Sequence, residues 1–295
     1  MHFKVERFVP SIAFALLAQM TPNNYYKYRP LWDKPGEPNY STRCIIEKSQ
    51  LWYAKPSSFN DPYDCNLKLH IDDCTDAELQ WYLNILKKEA PDLSHILQLD
   101  AIKSNPSIAA SVGEKTRHKN FHKSSVLCLS RKSNSIPMFS YYADSHKGVA
   151  IEFQFNNYEI PCGIPCKEPG SDTVYGNKVV FRHIDYHETP PELNYIRLYG
   201  KPEIVFNTIF AKSHEWAHEQ EFRIFRREVG EGLVNFEGKM LTRIIFGCRS
   251  SKKEIDLVKS WLAGRKSDVI LSIAKESPNK FELEIEDFET VRAIS

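Results

Sequence analysis

The sequence predicts an α+β fold whose core is a mixed, largely antiparallel β-sheet with a helical insertion. Several short segments are rich in Val, Ile, Phe and Tyr, and two of them, 148–155 and 281–288, alternate apolar and polar residues as half-buried strands do. Strand-type and helix-type segments do not alternate strictly, which disfavours a doubly wound parallel sheet. The predicted strands are 50–54, 124–130, 148–155, 178–184, 221–229, 241–247, 268–274 and 281–288.

Two helices have recognisable N-terminal signals. Thr75 with Glu78 forms a capping box ahead of an apolar helical face, and Ser251 with Glu254 forms a second one. We therefore expect one helix to begin just after Thr75 and another just after Ser251.

A helical insertion is predicted over about 75–120, as two helices broken near Pro91 and again near Pro106. A third helical region is predicted from Pro202 to His218. A chain of 295 residues lies within the range that one large core can fill. We therefore expect a single domain, 1–295, that carries this insertion.

The first 22 residues, 1–22, are predicted to form an N-terminal helix or extension. Lys4 and Arg7 precede an apolar run, 8–20, in the order that a signal peptide uses, but Pro10 interrupts the run and no small-residue cleavage site follows. The run is also too short to cross a bilayer as a helix. We expect a docked helix rather than a secretion signal, and no membrane partner.

Composition and charge exclude several classes of protein. The 39 basic and 38 acidic side chains nearly cancel, so the whole chain lacks the charge of a polyanion-binding domain. The seven cysteines are odd in number and form no CxxC pair, which favours reduced thiols and a cytoplasmic location over a disulfide framework. No GxGxxG or GxxxxGK[ST] loop is present to hold phosphates.

The segment HEWAH, 214–218, has the HExxH pattern of zinc peptidases. On an α-helix, His214 and His218 would share a face and could bind zinc, with Glu215 as the base. The polar residues after His218 and the lack of an HxxGxxH continuation favour instead hydrogen-bonded histidines near a helix end. We expect no metal site, and a zinc metallopeptidase is kept as an alternative.

The segment EQEFRIF places Glu219, Glu221 and Arg223 at intervals of two. In an extended chain these side chains project from one face of the strand. Two carboxylates on one face of a strand need a structural or functional reason. The alternative is a solvent-facing edge strand with a ladder of alternating charges.

The segment YKYRP, 26–30, presents cations beside aromatic rings. As an extended strand it puts Lys27 and Arg29 on one face and Tyr26 and Tyr28 on the other. The cations are suited to binding phosphate and the rings to stacking on a planar group. The alternative is a soluble strand edge that Pro30 ends.

Two loops supply further polar candidates. FNDPYD, 59–64, is a turn by composition, in which Asn60 or Asp61 faces a ligand or only completes the turn. YYADSHKG, 141–148, leads into a predicted strand, so Tyr142 and His146 either line a cleft or satisfy backbone groups.

In this order, YKYRP, SSFNDPYD, LCLS, YYADSHKG and WAHEQEFRI resemble a bacterial family of proteins with a domain of unknown function, over about 25–250. That family shows Trp, two residues, Glu, one residue, Glu, an aromatic and Arg. Trp216, Glu219, Glu221, Phe222 and Arg223 meet this pattern. Phe139 stands where the family commonly has Trp.

The order of these motifs resembles that of ADP-ribosyltransferases, and this implies a split-sandwich fold and a reaction that consumes NAD as a substrate rather than as a cofactor. The matching residues are Arg29 or Lys27 on an early strand, Ser130 or Tyr142 in the middle, and the Glu219-x-Glu221 pair. The resemblance implies roles for them. Glu221 would stabilise the ribose cation, Glu219 would position or deprotonate the acceptor, Arg29 would hold the pyrophosphate, and Tyr28 or Tyr142 would stack on nicotinamide.

The function that the resemblance implies is transfer of ADP-ribose from NAD to a macromolecular acceptor, a protein or a nucleic acid, by a bacterial toxin or phage-defence effector with a neutralising partner. Two alternatives remain open from the residues themselves. One is the zinc metallopeptidase, and the other is a non-catalytic ligand-sensing or interaction module in which Glu219, Glu221 and Arg223 form a surface ion-pair ladder.

Overall fold

The computed structural model describes residues 23–65, 69–70, 74–105, 107–108, 111, 123–156, 160–163, 174–175, 179–198 and 207–293. The N-terminal helix or extension predicted over 1–22, and the helix break predicted near Pro106, lie outside these residues.

The strands and helices of the described residues match most of the sequence predictions. The strands are β1 (Asn23–Arg29), β2 (Trp32–Lys34), β3 (Glu37–Pro38), β4 (Gln50–Tyr53), β5 (Leu69–His70), β6 (Ser125–Ser130), β7 (Val149–Phe155), β8 (Val174–Tyr175), β9 (Val179–His183), β10 (Asp185–His187), β11 (Leu193–Asn194), β12 (Ala211–Ser213), β13 (Glu221–Arg226), β14 (Gly232–Asn235), β15 (Leu241–Phe246), β16 (Val269–Glu276) and β17 (Leu283–Val291). The helices are α1 (Tyr40–Lys48), α2 (Asp76–Glu89), α3 (Leu99–Ser104), α4 (Ile136–Tyr142), α5 (Tyr195–Leu198) and α6 (Lys252–Leu262).

Nine of the described strands form one open sheet in the order β17-β16-β15-β7-β1-β6-β13-β9-β8. Its neighbours are antiparallel except for the parallel pair β15 and β16. The predicted mixed, largely antiparallel α+β architecture is therefore confirmed. The finer expectation, a split sandwich like that of ADP-ribosyltransferases, stays a prediction.

The sheet is weakest between β1 and β6. Strand β1 pairs with β7 along its whole length, from Asn23 to Arg29, whereas it pairs with β6 at Tyr26 and Ser130. On its other side β6 pairs with β13 along the whole of both strands. Strands β1 and β6 therefore diverge beyond Tyr26, and a gap opens in the middle of the sheet.

The apolar core covers one face of the sheet. Side chains of α1 and α6, such as Ile46 and Trp261, pack with buried residues of β1, β7 and β15. A separate apolar cluster joins α2 and α3 to Ile196 and Ala211, so the described part of the predicted helical insertion is helical and packs on its own core. Both predicted capping boxes form, at the start of α2 and of α6.

The third helical region predicted over 202–218 is wrong for its second half. Residues Ala211–Ser213 form β12, which pairs in parallel with β10, and His214–Glu219 form a 3-10 helix. Strand pairing with a distant segment overrides the local helical pattern here.

In the part of the chain that the structure describes, no helix is long and apolar enough to cross a membrane. The six cysteines found there all have free thiols, as the sequence predicts.

Candidate functional site

A cavity of about 380 Å³, called the site cavity below, lies where β1 and β6 diverge. It is lined by β1 from Tyr26 to Arg29, by β6 from Cys128 to Ser130, and by side chains of α4, β13 and the segment 54–64. Its volume falls within the range of small-molecule sites. Nine of the predicted site residues line it: Lys27, Tyr28, Arg29, Asn60, Ser130, Tyr142, Glu219, Glu221 and Arg223.

Arg223 is the centre of the buried charges at this cavity. Its side chain has no exposed surface, and its guanidinium donates two parallel hydrogen bonds to Asp64, of 2.7 and 2.6 Å. It also donates to both carboxylate oxygens of Glu221, at 2.6 and 3.0 Å, and to the carbonyl oxygen of Ile209 at 2.6 Å. The planar fork of arginine can donate two parallel hydrogen bonds to one carboxylate, which the ammonium of lysine cannot do.

Lys212 is a second cation against the same carboxylates. Its ammonium lies 2.5 Å from Glu219, 3.1 Å from Glu221 and 3.6 Å from Asp64. Burial alone would lower the pKa of Lys212, but Glu221 and Glu219 raise it above its ordinary value. We call Asp64, Lys212, Glu219, Glu221 and Arg223 the acid-paired cluster; it holds three carboxylates and two cations.

Glu221 stays ionised in this cluster. Burial by itself raises the pKa of its carboxyl, and the charges of Arg223 and Lys212 outweigh that effect and hold the pKa well below its usual range. A carboxylate with so low a pKa is a permanent negative charge rather than a proton shuttle.

Glu219 faces the same cavity, although it does not belong to the strand. The strand begins at Glu221, and Gln220 has a left-handed φ of 44° at the end of the 3-10 helix. The prediction that Glu219 shares a strand face with Glu221 and Arg223 is therefore wrong, because Glu219 does not lie on the strand. Its carboxylate nevertheless accepts hydrogen bonds from Tyr142 (2.7 Å) and Lys212.

The alternative of a solvent-facing edge ladder is also wrong. Strand β13 lies between β6 and β9, and all six of its residues are buried. Glu219 and Glu221 are each 4% exposed. Charges so deeply buried are retained only with partners, which the acid-paired cluster provides.

Neutral hydroxyl groups form hydrogen bonds with the backbone of the two glutamates. The Ser130 hydroxyl donates to the carbonyl oxygen of Glu219 at 2.6 Å, and the amide of Glu221 donates to the Tyr186 hydroxyl at 2.9 Å. Burial raises the pKa of Tyr186 to about 12 and, with Glu219, raises that of Tyr142 as well. Both phenols therefore stay protonated.

Lys27 is in the opposite electrostatic situation. Its ammonium donates a 2.8 Å hydrogen bond to the carbonyl oxygen of Cys128, across the gap between β1 and β6. Among the described residues, no carboxylate lies within ion-pair distance of it, and burial lowers its pKa.

Arg29 also lines the site cavity without a carboxylate within ion-pair distance in the described chain. Its guanidinium donates to the side chains of Thr42, Asn39 and Ser41 at the start of α1. Burial lowers its pKa, but arginine remains charged under all ordinary conditions. Arg29 is therefore a fixed cation oriented by the cap of a helix.

The tyrosines of β1 pack where the predicted alternation puts them, on the face opposite Lys27 and Arg29. The Tyr28 ring meets Phe139 edge to face at 4.9 Å, and its hydroxyl donates to the carbonyl oxygen of Lys132. This packing makes Tyr28 part of the wall. Tyr142 is only half-buried and is better placed to stack on a planar group.

The turn FNDPYD reaches the cavity through some of its residues. Asn60 is exposed and lines the site cavity, while Asp61 does not. Asp61 instead accepts a hydrogen bond from the amide of Tyr63 at 2.9 Å, as expected if it only completes the turn. Asp64, at the end of the motif, holds Arg223, and the sequence prediction missed it.

His146 lies away from the site cavity, so its prediction as a substrate-binding residue is not supported by its position. It lines another cavity, with Cys248, Arg249 and Glu276, and its Nε2 is 3.0 Å from the Ser140 hydroxyl. It belongs to a turn in which three successive non-glycine residues, from Asp144 to His146, have φ between 46° and 71°.

Gly148 explains why this turn can enter β7. A Cβ at Gly148 would lie 2.3 Å from the carbonyl oxygen of Arg29, so no other residue fits beside β1 there. The turn therefore fixes α4, and with it Tyr142, against the strand that carries Lys27 and Arg29.

The HEWAH segment lacks the geometry that the zinc hypothesis needs. In a 3-10 helix, with three residues per turn, positions i and i+4 are roughly 120° apart, so His214 and His218 do not share a face. His214 contacts Glu188 at 3.3 Å and His218 lies 3.1 Å from the carbonyl oxygen of Glu215. In the described ranges, no three or more His, Cys, Asp or Glu side chains are arranged so that they could hold a metal ion.

Residues 138–224 match the model of a family described as Protein of unknown function (DUF2971). The expected domain of unknown function is thereby confirmed for this segment. The match includes Tyr142, Lys212, Glu219 and Glu221, whereas β1 lies outside it. No curated protein and no solved structure matches the chain.

Proposed function

We propose that the protein binds NAD in the site cavity and cleaves its nicotinamide glycosidic bond, transferring ADP-ribose to an acceptor. One observation carries the proposal: Glu219 and Glu221, from the end of a 3-10 helix and the start of β13, line the same cavity as Lys27 and Arg29 of β1. Segments distant in sequence thus bring an acidic pair and two cations to one pocket.

Arg29 is the residue suited to the pyrophosphate. It keeps its charge on burial, has no carboxylate partner within ion-pair distance in the described residues, and lines a neighbouring cavity of about 680 Å³ as well as the site cavity. Tyr28 and Tyr142 also border both. A dinucleotide spanning the two cavities would cross Arg29 at its middle, where its phosphates lie.

Glu221 suits the reacting sugar. Loss of nicotinamide leaves positive charge on the ribose, and a carboxylate that stays ionised stabilises that charge. Glu219, which Tyr142 and Lys212 orient, is placed to position the attacking group of the acceptor.

The biological setting of this proposal rests on the resemblance alone. It comprises a cytoplasmic bacterial enzyme, a toxin or phage-defence effector, with a macromolecular acceptor and a neutralising partner. NAD is then a consumed substrate, and the reaction needs no further cofactor.

The test is release of nicotinamide from NAD by the wild-type protein and by Glu221→Gln. Removing one group that stabilises transition-state charge typically costs about 10²- to 10³-fold in rate, and we expect a loss of that size. Glu237→Gln, whose side chain is 61% exposed, is the matched control and should keep the wild-type rate. Equal release by the wild-type and Glu221→Gln proteins would remove Glu221 from the mechanism.

Because the Glu221→Gln substitution weakens a direct contact with buried Arg223, a second variant guards against misfolding. Glu219→Gln alters contacts with Lys212 and Tyr142 and leaves those of Arg223 in place. We expect this variant to transfer ADP-ribose to the acceptor more slowly. It should still bind NAD, as measured by calorimetry.

A binding module without turnover is the second candidate, and one observation favours it. All four carboxylate oxygens of Glu219 and Glu221 already accept hydrogen bonds from Arg223, Lys212 or Tyr142. Calorimetric binding of NAD with no release of nicotinamide would support this candidate over the enzyme.

A further inference from the structure

Lys27 is a half-buried lysine to which the proposed reaction assigns no chemical step. It lines the site cavity and also a smaller cavity of about 150 Å³, so its side chain borders two cavities. Its hydrogen bond to the carbonyl oxygen of Cys128 uses a single N–H, and its amine makes no other hydrogen bond among the described residues.

The environment of Lys27 lowers the pKa of its amine below the ordinary lysine value. Burial is the largest effect and lowers the pKa, and the charge of Arg29 on the same strand lowers it further. Cys128, Glu221 and Glu219 act in the opposite direction without overcoming the burial. Lysines desolvated beside another cation are the ones that become nucleophiles toward carbonyl groups.

The lowered pKa of Lys27 is not shared by Lys212, which also lines the site cavity. Lys212 is also buried, but three carboxylates hold its proton. The pKa values of the two amines are therefore shifted in opposite directions although they line the same cavity.

Arg29 indicates which carbonyl compounds would bind. Its guanidinium lines the site cavity two residues from Lys27, and no carboxylate lies within ion-pair distance of it in the described chain. A ligand with a phosphate group would complement it.

We propose that Lys27 is a nucleophilic amine that forms an imine with the aldehyde of a phosphorylated sugar bound in the site cavity. The amine nitrogen adds to the aldehyde carbon to give a carbinolamine. The new C–N bond then becomes C=N as the carbonyl oxygen leaves with the two amine hydrogens as one molecule of water. No oxidant or metal is needed, and NAD turnover does not enter the step.

The experiment is reductive trapping. The wild-type protein is incubated at pH 7 with ribose 5-phosphate, whose open-chain form is an aldehyde, in the presence of cyanoborohydride, and adducts are located by peptide mass mapping. We expect about one adduct per chain, at Lys27, and roughly tenfold faster labelling there than at exposed lysines for each unit by which the pKa is lowered.

Two variants and one probe sharpen the result. Lys27→Arg keeps a basic side chain and should lose the adduct, whereas Lys252→Arg, at a side chain that is 86% exposed and lines neither cavity, should keep it. Unphosphorylated ribose should label Lys27 more slowly because it lacks the group that Arg29 binds.

The proposal is overturned if the adducts spread over exposed lysines, or if Lys27→Arg is labelled as the wild type is. Mapping of the wild-type protein needs no variant, so misfolding of Lys27→Arg cannot obscure the outcome. Nicotinamide release is measured separately, so failure here and failure of the NAD proposal are distinguishable.

Discussion

The cations on the two sides of the site cavity differ in their partners. In the acid-paired cluster, Arg223 and Lys212 are surrounded by Asp64, Glu219 and Glu221, and each of the three carboxylates lies within ion-pair distance of a cation. On strand β1, Lys27 and Arg29 hydrogen-bond only to neutral groups among the described residues.

The pKa shifts follow this difference. The pKa of Lys212 is raised by its carboxylates, whereas that of Lys27 is lowered by burial. The cations of the acid-paired cluster are compensated by carboxylates of the protein, whereas the basic side chains of β1 are available to a ligand. The comparison teaches that burial alone does not decide the state of a lysine; its partners do.

The largest effect is expected from breaking the acid-paired cluster at its centre. Arg223→Leu leaves Asp64 and Glu221 buried without their main cation, which typically costs about 3–5 kcal/mol of the free energy of unfolding. Urea denaturation measures this loss. Arg292→Leu, which breaks a pair with Asp268 at a side chain 79% exposed, is the control and should unfold as the wild type does. Similar losses in both variants would contradict the assigned role of Arg223.

A second test uses acid. The folded-state pKa of Glu221 is lowered, so its contribution to stability is present above the ordinary carboxyl pKa of about 4.3 and is lost as the pH falls below that value. We expect Glu221→Gln to be less stable than the wild type by about 2 kcal/mol at pH 7, with a gap that narrows toward pH 3. A gap that stays constant with pH would show that Glu221 contributes by packing rather than by charge.

A smaller effect is expected at the rim. Tyr142→Phe removes one hydroxyl donor to Glu219 and should cost about 1 kcal/mol in the free energy of unfolding. Its neighbour Tyr141, 71% exposed, offers a matched control, since Tyr141→Phe should change nothing measurable. Should both variants unfold alike, the Tyr142 hydrogen bond would have no energetic weight.

The smallest effect is expected from replacing Lys27 of β1, which lies across the site cavity from the acid-paired cluster. A lowered folded-state pKa means that the wild type gains stability as the pH rises toward the ordinary lysine value of about 10.4. Lys27→Met lacks this gain and should match or exceed the wild type by up to about 1 kcal/mol at pH 7, with the difference falling at pH 9.5. A clearly destabilised Lys27→Met at pH 7 would show that the buried ammonium is compensated after all. Exposed Lys147→Met is the control.

Local patterns in the sequence were enough for most elements of the fold. The alternation of 148–155 and the capping boxes at Thr75 and Ser251 reflect contacts between near neighbours, and β7, α2 and α6 form where they predict. The segment 211–219 departs from its helical pattern because β12 pairs with β10, a partner distant in sequence.

The candidate site divides in the same way. The residue types of YKYRP and EQEFRIF predicted cations and carboxylates, and these do meet in one cavity. Asp64 and Lys212 were missed because nothing near them in sequence marks them; they are recognisable only as partners of Arg223, Glu219 and Glu221.

The sequence by itself predicted most strands of the nine-stranded sheet and which residues could carry charge into a site, because those properties depend on side chains a few positions apart. The tertiary structure alone decided which charges are paired. The gap between β1 and β6 encloses Lys27 beside neutral groups and Lys212 beside three carboxylates, and the partners of a buried charge come from distant parts of the chain.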